Sequence, residues 1–282
     1  MRSMCLLVSV FALSSLVQAA ELTEAAKNAF ASYIGETESS MAAHLPPATP
    51  RLGEVIAIPF AHRKPGGDAS IAISGGLINH WFGSTFVPDA SVADARAVLE
   101  DYTRYSAYYA PDVTESKLLG HSGNDFDVFL RLHRDVHVKA FFSFPVEFNA
   151  NYKVRYSQER GTLSVRSIST RIAQVRDPRH SHNVEYPVDG GDGFLWRLYS
   201  YWRVYEGTAQ GRRGVYIESE AVSLSRSVPG FLAKIVTYFT TNFPEESLRS
   251  TLEKTRTAVE QRARPHREGR LHPRFPNVRP TP

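Results

Sequence analysis

"FLWRLYSYWRVYEG", Phe194 to Gly207, packs Trp196, Trp202, Tyr199, Tyr201, Tyr205, Arg197 and Arg203 into one short run that ends on a glycine. Three readings compete for it: a stacking platform for nucleic acid, the wall of a pocket, or filled core. Its aromatic content favours a strand over a helix. On a strand, successive side chains point to opposite faces. Phe194, Trp196, Leu198, Ser200, Trp202 and Val204 then form one face, and Leu195, Arg197, Tyr199, Tyr201, Arg203 and Tyr205 the other. The first face is apolar and belongs against a core. On the second, guanidinium groups are placed to stack on tyrosine rings at the surface. A strand of this length calls for a bulge, which would flip the assignment beyond Ser200.

The same two-residue period recurs on either side. Phe126, Val128, Leu130 and Leu132 alternate with Asp127, Phe129, Arg131 and His133. Phe148, Ala150, Tyr152, Val154 and Tyr156 alternate with Asn149, Asn151, Lys153 and Arg155. This pattern predicts an antiparallel sheet with one wet face. "GTLSVRSISTRIAQV" (Gly161–Val175) and "GVYIESEAVSLS" (Gly214–Ser225) add strands, with a polar loop after the former running to Gly193. "GLINHWFGSTFV" (Gly76–Val87) opens the series. "SVADARAVLEDY" (Ser91–Tyr102) has an N-cap serine and a first-turn Asp94, so it reads as a helix. A second helical turn lies at Ser106–Tyr109. After Pro229 the period becomes helical, through Leu232, Ile235, Val236 and Phe239. Pro244 restarts or kinks the helix, and Leu248, Leu252 and Val259 extend it. Upstream, Glu21–Leu45 reads as a weakly amphipathic helix. "EVIAI" and "SIAIS" flank the turn-like "KPGGD" and predict a small hairpin.

The two ends differ from this body. Arg2, the apolar run Met4–Val17 and the small residues before Ala20 have the layout of a secretory signal peptide, with an apolar run too short for a membrane helix. The chain is therefore expected to be exported, to a bacterial periplasm or the medium. Cys5, the only cysteine, lies in that segment, which excludes a disulfide-stapled scaffold, a thiol enzyme and a Cys-zinc site. Six arginines, from Arg262 to Arg279, sit near the C-terminus against the single acid Glu268. Setting aside these and Arg2 leaves 33 − 7 = 26 basic residues against 29 − 1 = 28 acids, so the body is near neutral. The proline- and arginine-rich tail is expected to be disordered and suited to peripheral contact with an anionic membrane. The expected organisation is thus a signal peptide (1–19), an N-terminal helix and hairpin (20–75), a main domain (76–260) and a basic tail (261–282).

The order strand, two short helices, a run of strands and a long C-terminal helix resembles the helix-grip fold of the START-like superfamily, also called SRPBCC. That group includes birch-pollen-allergen, coenzyme-Q-binding and aromatase/cyclase proteins. "FVPDASVADARAVLEDYTRYSAYYAPDVTESKLL" (Phe86–Leu119) and "SLSRSVPGFLAKIV" (Ser223–Val236) carry the resemblance. It implies an α+β fold: a curved antiparallel sheet of about six to seven strands wrapped around the last helix. It also implies an internal cavity for a lipid, sterol, quinone or polyketide, and it carries over no catalytic residue.

On this reading the expected cavity residues are Leu77, Trp81, Trp196, Leu198, Trp202, Ile217, Ile235 and Phe239. Glu147, Glu218 and Glu220 are candidate cavity acids, able to act as general acid or base if buried, although paired surface carboxylates would read the same way. No metal site is expected. His133 and His137 on one strand lie roughly 13 Å apart, and His180 and His182 lack a third ligand. There is no Gly-x-Ser-x-Gly nucleophile turn, and "DGGDG" lacks the lysine of a phosphate loop. No cofactor is implied. The leading function is binding or transfer of a hydrophobic small molecule in the envelope. The alternative is a cyclase- or hydrolase-type enzyme using the same cavity. A near-neutral exported body argues against nucleic acid as partner.

Overall fold

The computed structural model describes residues 21–41, 49–137, 143–191, 193–226 and 243–271. Helix α1 (Glu24–Ser40) is capped by Thr23, whose hydroxyl accepts from the Ala26 amide at 3.2 Å. Strands β1 (Val55–Pro59), β2 (Ser70–Ile73) and β3 (Gly76–Pro88) follow. Helix α2 (Val92–Leu99) opens on a reciprocal cap between Ser91 and Asp94, as its N-terminal residues dictate. The short helix α3 (Tyr105–Tyr108) leads into β4 (Val113–Ser122), β5 (Asp125–His137), β6 (Ser143–Glu159) and β7 (Thr162–Asp177). Then come β8 (Ser181–Glu185), β9 (Leu195–Ala209), β10 (Arg212–Arg226) and α4 (Phe243–Leu271).

The strands form one antiparallel sheet in the order β1-β3-β10-β9-β7-β6-β5-β4. β3 pairs with β10, the last strand, and β4 lies at the far edge, so the chain between them winds the sheet round one side. Two hairpin turns carry consecutive left-handed residues, Arg160-Gly161 (φ 47° and 83°) and Gln210-Gly211 (φ 47° and 78°). Such turns match the twist of the flanking strands and favour glycine second. The helix α4 crosses the concave face, with Leu252 and Val259 fully buried. Each contributes about 1.5–3 kcal/mol through its burial. Gly83 of β3 lets it approach: a Cβ there would stand 2.4 Å from the Leu252 Cδ1. This is the helix-grip arrangement, with seven strands from Gly76 onward carrying the wrap.

Several expectations are corrected. "EVIAI" and "SIAIS" do not pair with each other. Both lie along the same edge of β3, β1 against Trp81–Thr85 and β2 against Gly76–Asn79, because β3 offers a longer apolar edge than either short strand. The polar loop before Gly193 contains β8, which folds back on β7. The last helix runs on to Leu271, and Ala263 is still buried against the core. The largest departure concerns the wet face. α1 lies over the convex side of β3, β10 and β9, where Leu22, Ala26, Phe30, Tyr33 and Ile34 bury Ile78, Trp196, Val222 and Leu224. The sheet is therefore covered on both sides at this edge, and every residue from Ile78 to Val87 is buried.

Candidate functional site

A cavity of about 420 Å³ lies between the concave face and α4. Strand alternation decides its wall. β3 contributes Asn79 and Trp81, β9 contributes Leu198, Ser200 and Trp202, and β10 contributes Ser219, Ala221 and Ser223, while Leu248 and Thr251 of α4 close it from above. Tyrosines fill the end near α2. Tyr156 donates to the Leu99 carbonyl at 2.6 Å, and Tyr102 lies 2.6 Å from the Tyr156 hydroxyl. The Leu99 carbonyl also accepts from Tyr105, at 2.6 Å. The Tyr109 hydroxyl is 3.0 Å from Thr255 Oγ1. Burial raises all four phenols, Tyr109 to about 12, so they are neutral hydroxyls at neutral pH. Two charged lining residues, Asp112 and Arg134, sit where β5 finishes and α4 begins. There Asp112 binds Lys254 (2.7 Å), Ser250 (2.6 Å) and Arg134 (3.4 Å), and Arg134 also donates to Ser247 at 3.0 Å.

Of the residues expected in the cavity, the structure places Trp81, Leu198 and Trp202 on its wall. Leu77 shares their face but is half-buried outside the lining. Ile217 points the same way and is fully buried in the core beyond the cavity. Ile235 and Phe239 lie outside the described residues. Trp196 is on the opposite face, packed under α1. A bulge causes this: Leu224 pairs with Arg197 but Ser225 pairs with Leu195, leaving Trp196 as the extra residue. The bulge precedes Leu198 instead of following Ser200, so Leu195 joins Phe194 on the cavity wall and Trp196 joins the tyrosine side. On that side Arg203 lies over the Tyr205 ring at 5.6 Å.

The three acids are buried, but on the convex side. Glu218 and Glu220 alternate with Ser219 and Ala221 and so face outward. Glu220 accepts from Arg63 Nη1 at 2.6 Å and from His80 Nε2 at 3.2 Å beneath α1. Glu218 accepts from the Tyr205 hydroxyl at 2.7 Å, and burial raises its carboxyl above the usual range. Glu147 receives one imidazole on each oxygen, His133 Nδ1 at 3.1 Å and His182 Nδ1 at 2.6 Å. None of them is a cavity acid. Among the described residues no three His, Cys, Asp or Glu side chains are grouped to hold a metal ion, and no helix is long and apolar enough to cross a membrane.

Strand alternation put Ser200 and Tyr152 on the inner faces of their strands, but Ser167 and Ser219 went unread in the sequence. Ser167, Ser200 and Ser219 line the cavity, with Tyr152 beside them. The signal for Ser219 was the alternation of serine with bulkier residues in "IESEAVSLS", which marks one face of β10 as small and polar.

No family model matches the chain, and no curated protein does either. Solved structures do resemble it. A STAR-related lipid transfer protein fragment from Xanthomonas axonopodis is 17% identical with TM-score 0.40, covering 70% of this chain and 99% of its own. The Zhui aromatase/cyclase from Streptomyces sp. R1128 is 16% identical with TM-score 0.34, covering 70% and 97%. Human STARD10 is 11% identical with TM-score 0.37, covering 74% and 82%. The fold is a helix-grip one. The strand order and the gripped helix described above define it in this chain.

Proposed function

We propose that the protein binds or transfers a hydrophobic small molecule in the cavity, and does so after export to the bacterial cell envelope. The observation that carries the binding reading is the cavity itself: about 420 Å³, mostly aliphatic and aromatic walls, a few hydroxyls, and charged groups such as Asp112 and Arg134 that are held in an ion pair. Pockets of roughly 300–1,000 Å³ with such walls hold drug-sized apolar ligands. The cyclase- or hydrolase-type alternative needs an acid or base among the reacting atoms. Glu147, Glu218 and Glu220 face away from the cavity, and the lining Asp112 and His133 are tied to Lys254 and Glu147, which favours binding over catalysis. Export is supported by the leader-like pattern of Met4–Val17, and contact with anionic lipid by the arginines from Arg262 onward.

Native mass spectrometry of the protein purified from its native envelope tests this reading. The expected result is one apolar molecule per chain, released unchanged. Recovery of a chemically altered product after incubation with that molecule would overturn simple binding in favour of the enzyme.

A further inference from the structure

Most polar groups on the cavity wall are already paired. Asn79 takes the Ser70 hydroxyl at 2.6 Å and reaches Ser223 and Ser225 at 3.5 and 3.4 Å. The tyrosines near α2 bond one another, main-chain carbonyls or Thr255, as described above. Asp112, Arg134 and Lys254 are held together, and Arg226 donates to the Gly191 carbonyl at 3.1 Å. Four hydroxyls differ: Ser167, Ser200, Ser219 and Tyr152 make no hydrogen bond to another described residue.

These four are neighbours. Ser167 stands directly opposite Ser200 across β7 and β9, and Ser200 opposite Ala221 of β10, two residues from Ser219. On the other side, Ser167 faces Val154 of β6, two residues from Tyr152. They form an uncharged polar row running across four strands, with Ser167 and Ser200 directly opposed at about 5 Å and the two flanking residues on diagonals of about 7–8 Å. Hydroxyls shielded from bulk water in an apolar wall carry a desolvation cost until a partner arrives. Among the described residues, the cations lining the cavity are already engaged, so the row offers hydrogen bonds without a counter-charge.

We propose that the cavity selects an uncharged apolar molecule carrying at least two carbonyl or hydroxyl oxygens about 5 Å apart, in preference to a hydrocarbon or a carboxylate amphiphile. Ser200 and Ser167 are the central recognition residues, with Ser219 and Tyr152 flanking them. This rests on the reading that the cavity holds a hydrophobic ligand.

Three probes of similar size separate the possibilities by equilibrium dialysis against the exported chain: 2-methyl-1,4-naphthoquinone, 2-methylnaphthalene and 2-naphthoate. The quinone is expected to bind about tenfold more tightly than the hydrocarbon, and the naphthoate most weakly. Ser167→Ala with Ser200→Ala is expected to lower quinone affinity about tenfold. Methylnaphthalene binding should stay unchanged, which shows that the cavity is intact. Equal affinity for quinone and hydrocarbon, or a double variant that keeps its quinone affinity, would overturn the hydroxyl-row recognition while leaving the binding reading standing. Tightest binding of naphthoate would overturn it in favour of an anion site. If no probe binds, the molecule retained from the native envelope decides: two neutral oxygens support the inference and their absence overturns it. With nothing retained, both readings fall.

Discussion

Replacing Tyr33 with phenylalanine probes how the N-terminal helix is held to the convex face. The Tyr33 hydroxyl accepts from the His62 amide at 2.8 Å, so its own proton goes to His80 Nδ1, also 2.8 Å away. That fixes the proton of His80 on Nε2, which donates to Glu220, and Glu220 also binds Arg63. Removing one oxygen therefore strands two partners. The His80 ring nitrogen is in a side chain with 0% exposure, so its loss costs about 1–3 kcal/mol, and the partly exposed His62 N–H adds about 1. A total of about 2–4 kcal/mol is expected from urea unfolding of Tyr33→Phe at pH 7.5. The pH dependence gives a second readout. Burial holds His80 below the usual histidine value, and Arg63 and His62 push the same way against the pull of Glu220. The unfolded chain then takes up a proton that the folded one refuses. Stability from this source is full above about pH 6.5 and falls as pH drops below it toward the folded value. In Tyr33→Phe, Nδ1 has lost its donor and accepts a proton more readily, so this slope is expected to flatten. A loss under about 0.5 kcal/mol with an unchanged slope would refute the chain of bonds as the latch.

Three further outcomes are expected. Gly83→Ala brings a methyl against Leu252 and Leu248 and 3.0 Å from the Ile56 carbonyl. It should cost about 1–3 kcal/mol and weaken probe binding, since α4 must shift; unchanged stability and affinity would mean that α4 gives way freely. Gly214→Ala should be more damaging, because its Cβ would meet the Val87 carbonyl and Pro88 Cα of backbone, and soluble yield of the variant measures this. Bound naphthoquinone should quench Trp81 and Trp202. Trp202→Phe should therefore remove part of the ligand-dependent fluorescence change, whereas Trp196→Phe should leave it intact.

The convex layer alters how the sheet is stabilised. Glu38 of α1 accepts from Arg166 and from the Tyr201 hydroxyl, both at 2.7 Å, and Phe30 meets the Tyr199 ring edge-on at 5.2 Å. The tyrosine face of "FLWRLYSYWRVYEG" is thus largely a docking surface for α1. The residues before Gly76 complete this layer and also extend the sheet edge through β1 and β2.

Local sequence was enough for the long strands, the capped helix α2 and the order that makes a sheet grip a helix, though not for the short β8. These follow from side-chain period and cap chemistry, which act over a few residues. The same period placed Trp81, Leu198 and Trp202 on one face, and the cavity lies on that face. It failed at Trp196, because a single bulged residue inverts parity and leaves no local mark. It failed again at Glu147, Glu218 and Glu220. They read equally as cavity acids or as paired surface carboxylates, because alternation says only that they share a face, and which face gets a cover depends on where a distant helix docks. The spacing of Phe30, Tyr33 and Ile34 on α1 fits any apolar surface. Only the tertiary structure, by setting that helix against β3, β9 and β10, made the outer side dry there and turned Glu218 and Glu220 into partners of Tyr205, Arg63 and His80.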